Sequence, residues 1–354
     1  MSSKVRIAFV GVGTMGQAAH LRNYVNLPDV EVVALAELRP NLGRLVGDRY
    51  GIKRVYNTAQ ELLRQEEIDG IVAVQIFTYH GSILPPLYDK GVPLFTEKPL
   101  AGSIEVGKKL LSKLSESKSW HMVGYHKRSD PATIYAKAEI DRLRQTGELG
   151  KLKYVRILMP AGDWIASGFN DLIVTNESYP SIASDPAPAD MSESAYNEYF
   201  NFVNYYIHQI NLMRHLLGES YKVTYAEQSG VLLAVESSSG IPGTIEMSPY
   251  TTSIDWQESA LIAFEHGWIK LNLPAPVAYN RPGSVEVFRD SGNGVTPTTT
   301  VPTLPWVHAM RQQAINFVAA IRGESKPPCD AIEALEDLVI AKQYQTLKGN
   351  LHAS

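Results

Sequence analysis

The stretch VRIAFVGVGTMG, residues 5–16, constrains the fold more than any other part of this chain. A short continuous apolar run bounded by turn residues reads as a strand buried on both faces, the hallmark of a parallel sheet covered by helices. Three glycines spaced G-x-G-x-x-G then turn the chain into a helix over residues 14–26. Gly11 permits the tight turn, Gly13 leaves the backbone bare, and Gly16 lets helix and strand pack closely. The alternation continues to about residue 125: VEVVALAE, the TAQELL start with Thr58 three residues before Glu61, GIVAVQIF, a helix over 80–90, VPLFT, a helix over 103–117, and WHMVGY. Residues 1–125 therefore read as a doubly wound α/β domain of Rossmann type.

The pattern changes over residues 126–354. Asp130-Pro131 is an N-cap acid followed by proline at the first helical position, and opens a helix running to about Gln145. After it come the runs KLKYVRILM, YKVTYAEQSGVLLAVES, GTIEMSPY, SALIAFEHGWIKLNL and SVEVFRD. They predict a large open, mostly antiparallel sheet in an α+β domain, with EHGW as a tight hairpin turn in which glycine supplies positive φ. Two helices, about 307–323 and 331–347, close the chain, and the last can pack back on the first domain. The polar loops 178–195 and 290–305 are long enough to be candidates for covering a site.

Composition narrows the function. The 354 residues suit two domains, with 44% apolar and 20% charged residues. A net charge of −4 gives no general attraction to nucleic acid or to an anionic membrane. The single cysteine, Cys329, forms no internal disulfide, and no apolar run is long enough to span a bilayer. The start lacks the apolar core of a signal peptide, so the expected location is cytoplasmic.

The glycine turn ends at a helix N-terminus, whose free N–H groups and dipole suit a pyrophosphate. Gly11, Gly13, Thr14, Met15 and Gly16 form this candidate cofactor turn. Glu37 ends the next strand about twenty residues later, where a carboxylate accepts from the ribose hydroxyls of an adenine dinucleotide. A carboxylate there repels the extra phosphate of NADP, while Arg39 softens the repulsion. The expectation is NAD rather than NADP. Gln75, Phe77 and His80, after the fourth strand, are further candidates to face the cofactor.

In a doubly wound sheet, ligands bind beyond the carboxyl ends of the strands. VPLFTEKP puts Glu97 and Lys98 at such an end, and Pro99 stops the strand. A plain surface ion pair is the simpler reading. Against it, a lysine beside an oxidised nicotinamide is partly desolvated and next to a positive charge. Both effects lower its pKa towards the range useful for taking a hydroxyl proton. Residues 197–219 read as one strong helix. Its apolar stripe is Val203, Ile207, Ile210, Met213 and Leu217, and Asn201, Asn204, His208, Asn211 and His215 follow helical spacing on another face. Uncharged polar side chains there suit a hydroxyl-rich ligand; a buried polar seam is the competing reading. GYHKRSDP places Tyr125 and His126 at another strand end.

Together these residues resemble the Gfo/Idh/MocA oxidoreductases, the family of glucose–fructose oxidoreductase and inositol dehydrogenase. The matching motifs are GVGTMG, IDGIVAVQIFTYH at 68–80, EKPLAG at 97–102, GYHKR at 124–128 and the His208 helix ending in LLGE. The resemblance implies a bound nicotinamide cofactor, hydride transfer at a sugar or cyclitol carbon, and a C-terminal sheet that makes a homodimer or homotetramer. It implies that Lys98 and His208 are catalytic, and makes Lys98–Pro99 a cis candidate. Two departures stand out. Asn204 replaces an aspartate common four residues before the histidine, which weakens the usual proton relay. Gln75-Ile76 replaces a common Thr-Pro. GYHKRSDP with the His208 helix looks more like the branch acting on glycosides.

The expected activity is NAD-dependent oxidation of a secondary ring hydroxyl of a sugar, a glycoside (at C3 in one version) or a cyclitol. Lys98 takes the proton, His208 assists, and Tyr125, His126, Asn204, Asn211 and Trp164 orient the substrate. Two alternatives stand beside it: a redox-cycling glycosidase using NAD catalytically, and a non-catalytic dinucleotide or sugar sensor. No metal site is read, because the histidines lack partnering carboxylates.

Overall fold

The computed structural model describes residues 3–350 apart from positions 180 and 293, which fall within the two polar loops singled out above. The chain divides into two compact units. The first comprises Met1–Tyr125, Gly168–Tyr196 and Gln313–Leu338; the second comprises His126–Ser167, Asn197–Gln312 and Val339–Ser354.

In the first unit, β1 (Val5–Val10) leads through the glycine turn into a wide π-type helical stretch, Gly16–Leu21, and then α1 (Arg22–Tyr24). There follow β2 (Val30–Ala36), α2 (Pro40–Tyr50), β3 (Val55–Tyr56), α3 (Ala59–Gln65) and β4 (Gly70–Ala73). The series ends with α4 (His80–Tyr88), β5 (Leu94–Glu97), α5 (Ile104–Ser115) and β6 (His121–Gly124). The strands form one parallel sheet in the order β3-β2-β1-β4-β5-β6. The order reverses between β1 and β4, the place where such sheets open a crevice. Val72 and Phe95 are fully buried, as strands covered on both faces require. Phe317, from the returning segment 313–338, packs against Phe95 at 5.7 Å and Trp120 at 5.6 Å between ring centroids. The edge of β6 is covered as well: the Val123 amide donates to the Cys329 carbonyl at 3.0 Å.

The second unit begins with α6 (Pro131–Thr146), whose N-cap Asp130 accepts from the Ala132 amide at 2.8 Å. It continues through β7 (Leu152–Ala161), α7 (Glu193–Tyr205, its first residues in the first unit) and α8 (Ile207–Leu217). The remaining strands are β8 (Tyr221–Ala226), β9 (Leu232–Ser237), β10 (Pro242–Thr251), β11 (Ser259–Phe264), β12 (Gly267–Asn272), β13 (Ser284–Arg289) and β14 (Thr298–Thr300). They make an eight-stranded sheet ordered β14-β13-β12-β11-β7-β10-β9-β8, antiparallel except for the β7–β10 pair. The fold class expected from the sequence is the one found. The chain ends in α9 (Ala309–Ile321) and α10 (Ala331–Asn350), each divided between the units, and none of the helices in the described residues is long and apolar enough to cross a membrane.

Three local expectations need correction. The helix expected over 197–219 is two helices, interrupted at Tyr206, which sits at φ −89° and ψ −3°. A tertiary contact holds that break: the Tyr206 hydroxyl is bonded to Ser248. The strand expected over GIVAVQIF stops at Ala73, and a 3₁₀ turn, Phe77–Tyr79, follows. The β11–β12 hairpin turns at Glu265-His266, but Gly267 is not at positive φ. Glycine is needed there for space: a Cβ would come within 2.3 Å of the Phe288 carbonyl oxygen.

Candidate functional site

The carboxyl ends of β1, β2 and β4 enclose a cleft of ≈ 310 Å³ whose lining includes Gly11, Gly13, Glu37, Arg39, Gln75 and Tyr179. Gly11 has φ +87°, and a Cβ on it would fall 2.6 Å from the Val74 carbonyl oxygen. A Cβ on Gly16 would fall 2.7 Å from the Gly11 carbonyl oxygen. Those two glycines are needed for turn and packing. Gly13 is different: its missing side chain would meet only the Arg39 guanidinium, at 3.4 Å. Its bare backbone is what a pyrophosphate needs for close approach.

Glu37 is buried at the end of β2. One carboxylate oxygen accepts from the Val12 amide at 3.0 Å; the other accepts from Arg39 Nε at 2.8 Å. The bond to Glu37 raises the Arg39 pKa further. Gln75 lies across the turn and donates to the Val10 carbonyl, while its buried Oε1 meets no hydrogen-bond partner among the described residues. A buried acceptor lining the cleft, beside a glycine cradle and a carboxylate, fits a ligand bringing hydroxyl or amide donors. The residues present therefore fit an adenine dinucleotide.

At the end of β5, Glu97 and Lys98 part company. Glu97 is buried; it bonds His20 Nε2 at 2.7 Å and accepts from the Lys98 amide at 3.2 Å. Burial pushes the Glu97 carboxyl up, but the bond to His20, that residue's charge and Lys98 outweigh it and leave it below the ordinary range. Lys98 is only half-buried, and the Lys98–Pro99 peptide is cis. His80 supports the same turn from below: its Nδ1 bonds the Leu100 carbonyl at 2.9 Å, and burial lowers its pKa to about 4. Phe77 is buried in the short turn just before it.

The segment 168–196, expected only as loop over much of its length, is built onto the first unit. Asp171 takes both oxygens to Arg22 Nη2 at 2.6 Å, and Gln17 exchanges two bonds with Ile173. Glu177 accepts from the Asn41 and Leu42 amides at 2.9 and 3.0 Å, capping the start of α2. The Tyr179 ring lies 4.8 Å from the Arg39 guanidinium. Asp185 accepts from the Gly81 amide at 3.0 Å, at the start of α4.

In the second unit, His126 and His208 meet edge to face, 4.7 Å between ring centroids. Asn211 is fully buried and accepts from Arg128 Nε at 2.6 Å, so that amide oxygen is engaged by protein. Asn204 is exposed, two residues before the break at Tyr206. Trp164 is half-buried in the loop after β7, close to Ala166 and Ser167 at positive φ. Beside these lies a buried ion pair, Lys127–Glu258, with Gln209 Nε2 donating to Glu258 at 2.9 Å. Burial raises the Asp130 pKa to about 6 despite its amide bonds to Ala132 and Gly283.

The expected residues thus gather within each unit: the glycine turn, Glu37 and Gln75 in one group, Glu97, Lys98 and His80 in another, and His126 with His208 in a third. Tyr125 is buried at the end of the first unit. Sequence reasoning missed Tyr179, Glu177 and Asp185, the His20–Glu97 bond, and the Lys127–Glu258 pair. The length of the polar loop at 178–195 signalled only Tyr179 and Asp185; Glu177 lies just before it.

The fold and the cleft define a dinucleotide-binding Rossmann unit joined to an α+β unit. Residues 5–125 match the oxidoreductase family with NAD-binding Rossmann fold, GFO_IDH_MocA. The chain is 31% identical to the scyllo-inositol 2-dehydrogenase (NAD(+)) of Bacillus subtilis over 157 residues, 44% of each chain. It is 29% identical to the inositol 2-dehydrogenase/D-chiro-inositol 3-dehydrogenase of Lacticaseibacillus casei, over 64% of this chain and 57% of that one. These alignments span about half the length of the two relatives. An oxidoreductase from Agrobacterium radiobacter, solved with NAD+, L-tartaric acid and magnesium, shares the fold with a TM-score of 0.70 at 14% identity, covering 98% of this chain and 97% of that one. Residues 5–125 are thus similar in sequence to the NAD-binding domain of the Gfo/Idh/MocA oxidoreductases.

Proposed function

We propose that this protein is an NAD-dependent dehydrogenase that oxidises a secondary ring hydroxyl of a cyclitol, sugar or glycoside. The observation that carries the reading is the arrangement of carboxylates at the strand ends. Buried Glu37 faces the cleft beside the glycine turn, while buried Glu97 is held by His20. Lys98, half-buried on the turn that His80 supports, is the residue this reading assigns to the substrate hydroxyl. Bound NAD supplies the hydride acceptor. Gly13 and the helix that follows hold its phosphates, and Glu37 accepts from its adenosine ribose and repels a 2′-phosphate. Lys98 removes the hydroxyl proton. The relatives named as inositol dehydrogenases favour a cyclitol; a glycoside oxidised at C3 is the variant to test beside it.

A panel of inositols, sugars and glycosides, offered with NAD or NADP and followed at the nicotinamide absorbance, tests this. Reduction of NAD by one member of the panel is expected. Release of aglycone without net reduction would instead indicate redox cycling, and a preference for NADP would remove the role given to Glu37.

A further inference from the structure

Arg39 stands two residues past Glu37, near where NADP-using chains place a cation for the 2′-phosphate. Here it is held by two contacts and lies close to the bare Gly13 backbone. Glu37 takes its Nε at 2.8 Å, the Tyr179 ring lies 4.8 Å from its guanidinium, and its tip reaches to 3.4 Å from where a Gly13 side chain would begin. Tyr179 lies far beyond the Rossmann sequence, on a segment pinned at both ends. On one side, Glu177 caps α2 with bonds to two amides; on the other, Asp185 bonds the Gly81 amide. The cleft lining includes Tyr179 between those anchors.

The geometry points to Tyr179 as a positioning residue for cofactor choice: it parks Arg39 against Glu37 and so withholds the guanidinium from a 2′-phosphate. This rests on the dinucleotide reading of the cleft. A 2′-phosphate would have to draw Arg39 away from both the carboxylate and the ring before the two could pair. NAD has no such group and binds with Arg39 left in place. The strap therefore strengthens a preference that Glu37 alone sets only by repulsion.

The test is equilibrium binding of NAD and NADP to the full chain by calorimetry, with no substrate present. Tyr179 is largely exposed, at 63% of its surface, so Tyr179→Ala should leave the fold intact, checked by thermal melting. The ratio of the NADP to the NAD dissociation constant is expected to fall about three- to fivefold, the scale of one exposed cation–π contact. Tyr179→Phe should keep the wild-type ratio, because the ring alone supplies the contact. Adding Arg39→Ala to Tyr179→Ala should abolish the gain. An unchanged ratio, an equal loss for both nucleotides, or a gain that survives Arg39→Ala overturns the inference. Wild-type protein that binds neither nucleotide overturns the dinucleotide reading itself, before any variant is compared.

Discussion

Two buried glutamates stand at strand ends of the same sheet, with two strands between them, and they do different work. Glu37, at the end of β2, lines the cleft and shares its oxygens between the Val12 amide and Arg39. Glu97, at the end of β5, spends one oxygen on His20, from the helical stretch after the glycine turn, and the other on the amide of the next residue. The first shapes what enters the cleft. The second ties β5 to the helical stretch after the glycine turn and sets the turn that carries Lys98. A carboxylate at a strand end is therefore not by itself a binding group; its partners decide.

The comparison breaks most sharply at Lys98. Lys98→Ala is expected to lower turnover by about 10²–10⁴-fold while NAD binding stays within a fewfold, measured as kcat and as a dissociation constant on the same preparation. Glu97→Ala should act on stability instead, costing roughly 3–5 kcal/mol in denaturant unfolding because it leaves His20 buried without its partner. The Glu97 carboxyl titrates below the ordinary range, so its contribution is present at neutral pH and is lost as pH falls below about 4.3. Glu97→Gln should flatten that acid limb.

His80 gives a window at higher pH. Its folded pKa of about 4 lies below the unfolded value of about 6.5, so the unfolded chain takes the proton first. Stability is complete above pH 6.5 and declines towards pH 4, by about 3 kcal/mol for this group. His80→Asn, which keeps a donor for the Leu100 carbonyl, should remove that part of the decline in unfolding curves recorded across the window. The smallest effect is the three- to fivefold change in nucleotide preference expected for Tyr179→Ala.

The parts legible in the sequence are those written in contiguous residues. The glycine spacing, the carboxylate ending β2, the Thr58 and Asp130 caps and the alternation of strand and helix each fix local backbone, and local backbone is what short motifs describe. What was not legible depends on distant partners. Tyr179 meets Arg39 across 140 positions, from a polar segment with no periodicity to place it. Asn211 follows the helical spacing of a ligand-facing stripe, yet the fold brings buried Arg128 to its oxygen. The helix through His208 is interrupted at Tyr206 because Ser248, on β10, holds that tyrosine's hydroxyl. No propensity in the helix itself announces that contact.

The central claim is hydride transfer from a ring carbon to NAD, with Lys98 taking the hydroxyl proton. It is tested most directly with the polyol that the panel selects, deuterated at the carbinol carbon, and with mass spectrometry of the nicotinamide formed. The account predicts one deuterium in the reduced nicotinamide from wild-type protein and almost none from Lys98→Ala in the same time. Reduced nicotinamide without the label, or label transferred at the wild-type rate by Lys98→Ala, would contradict it.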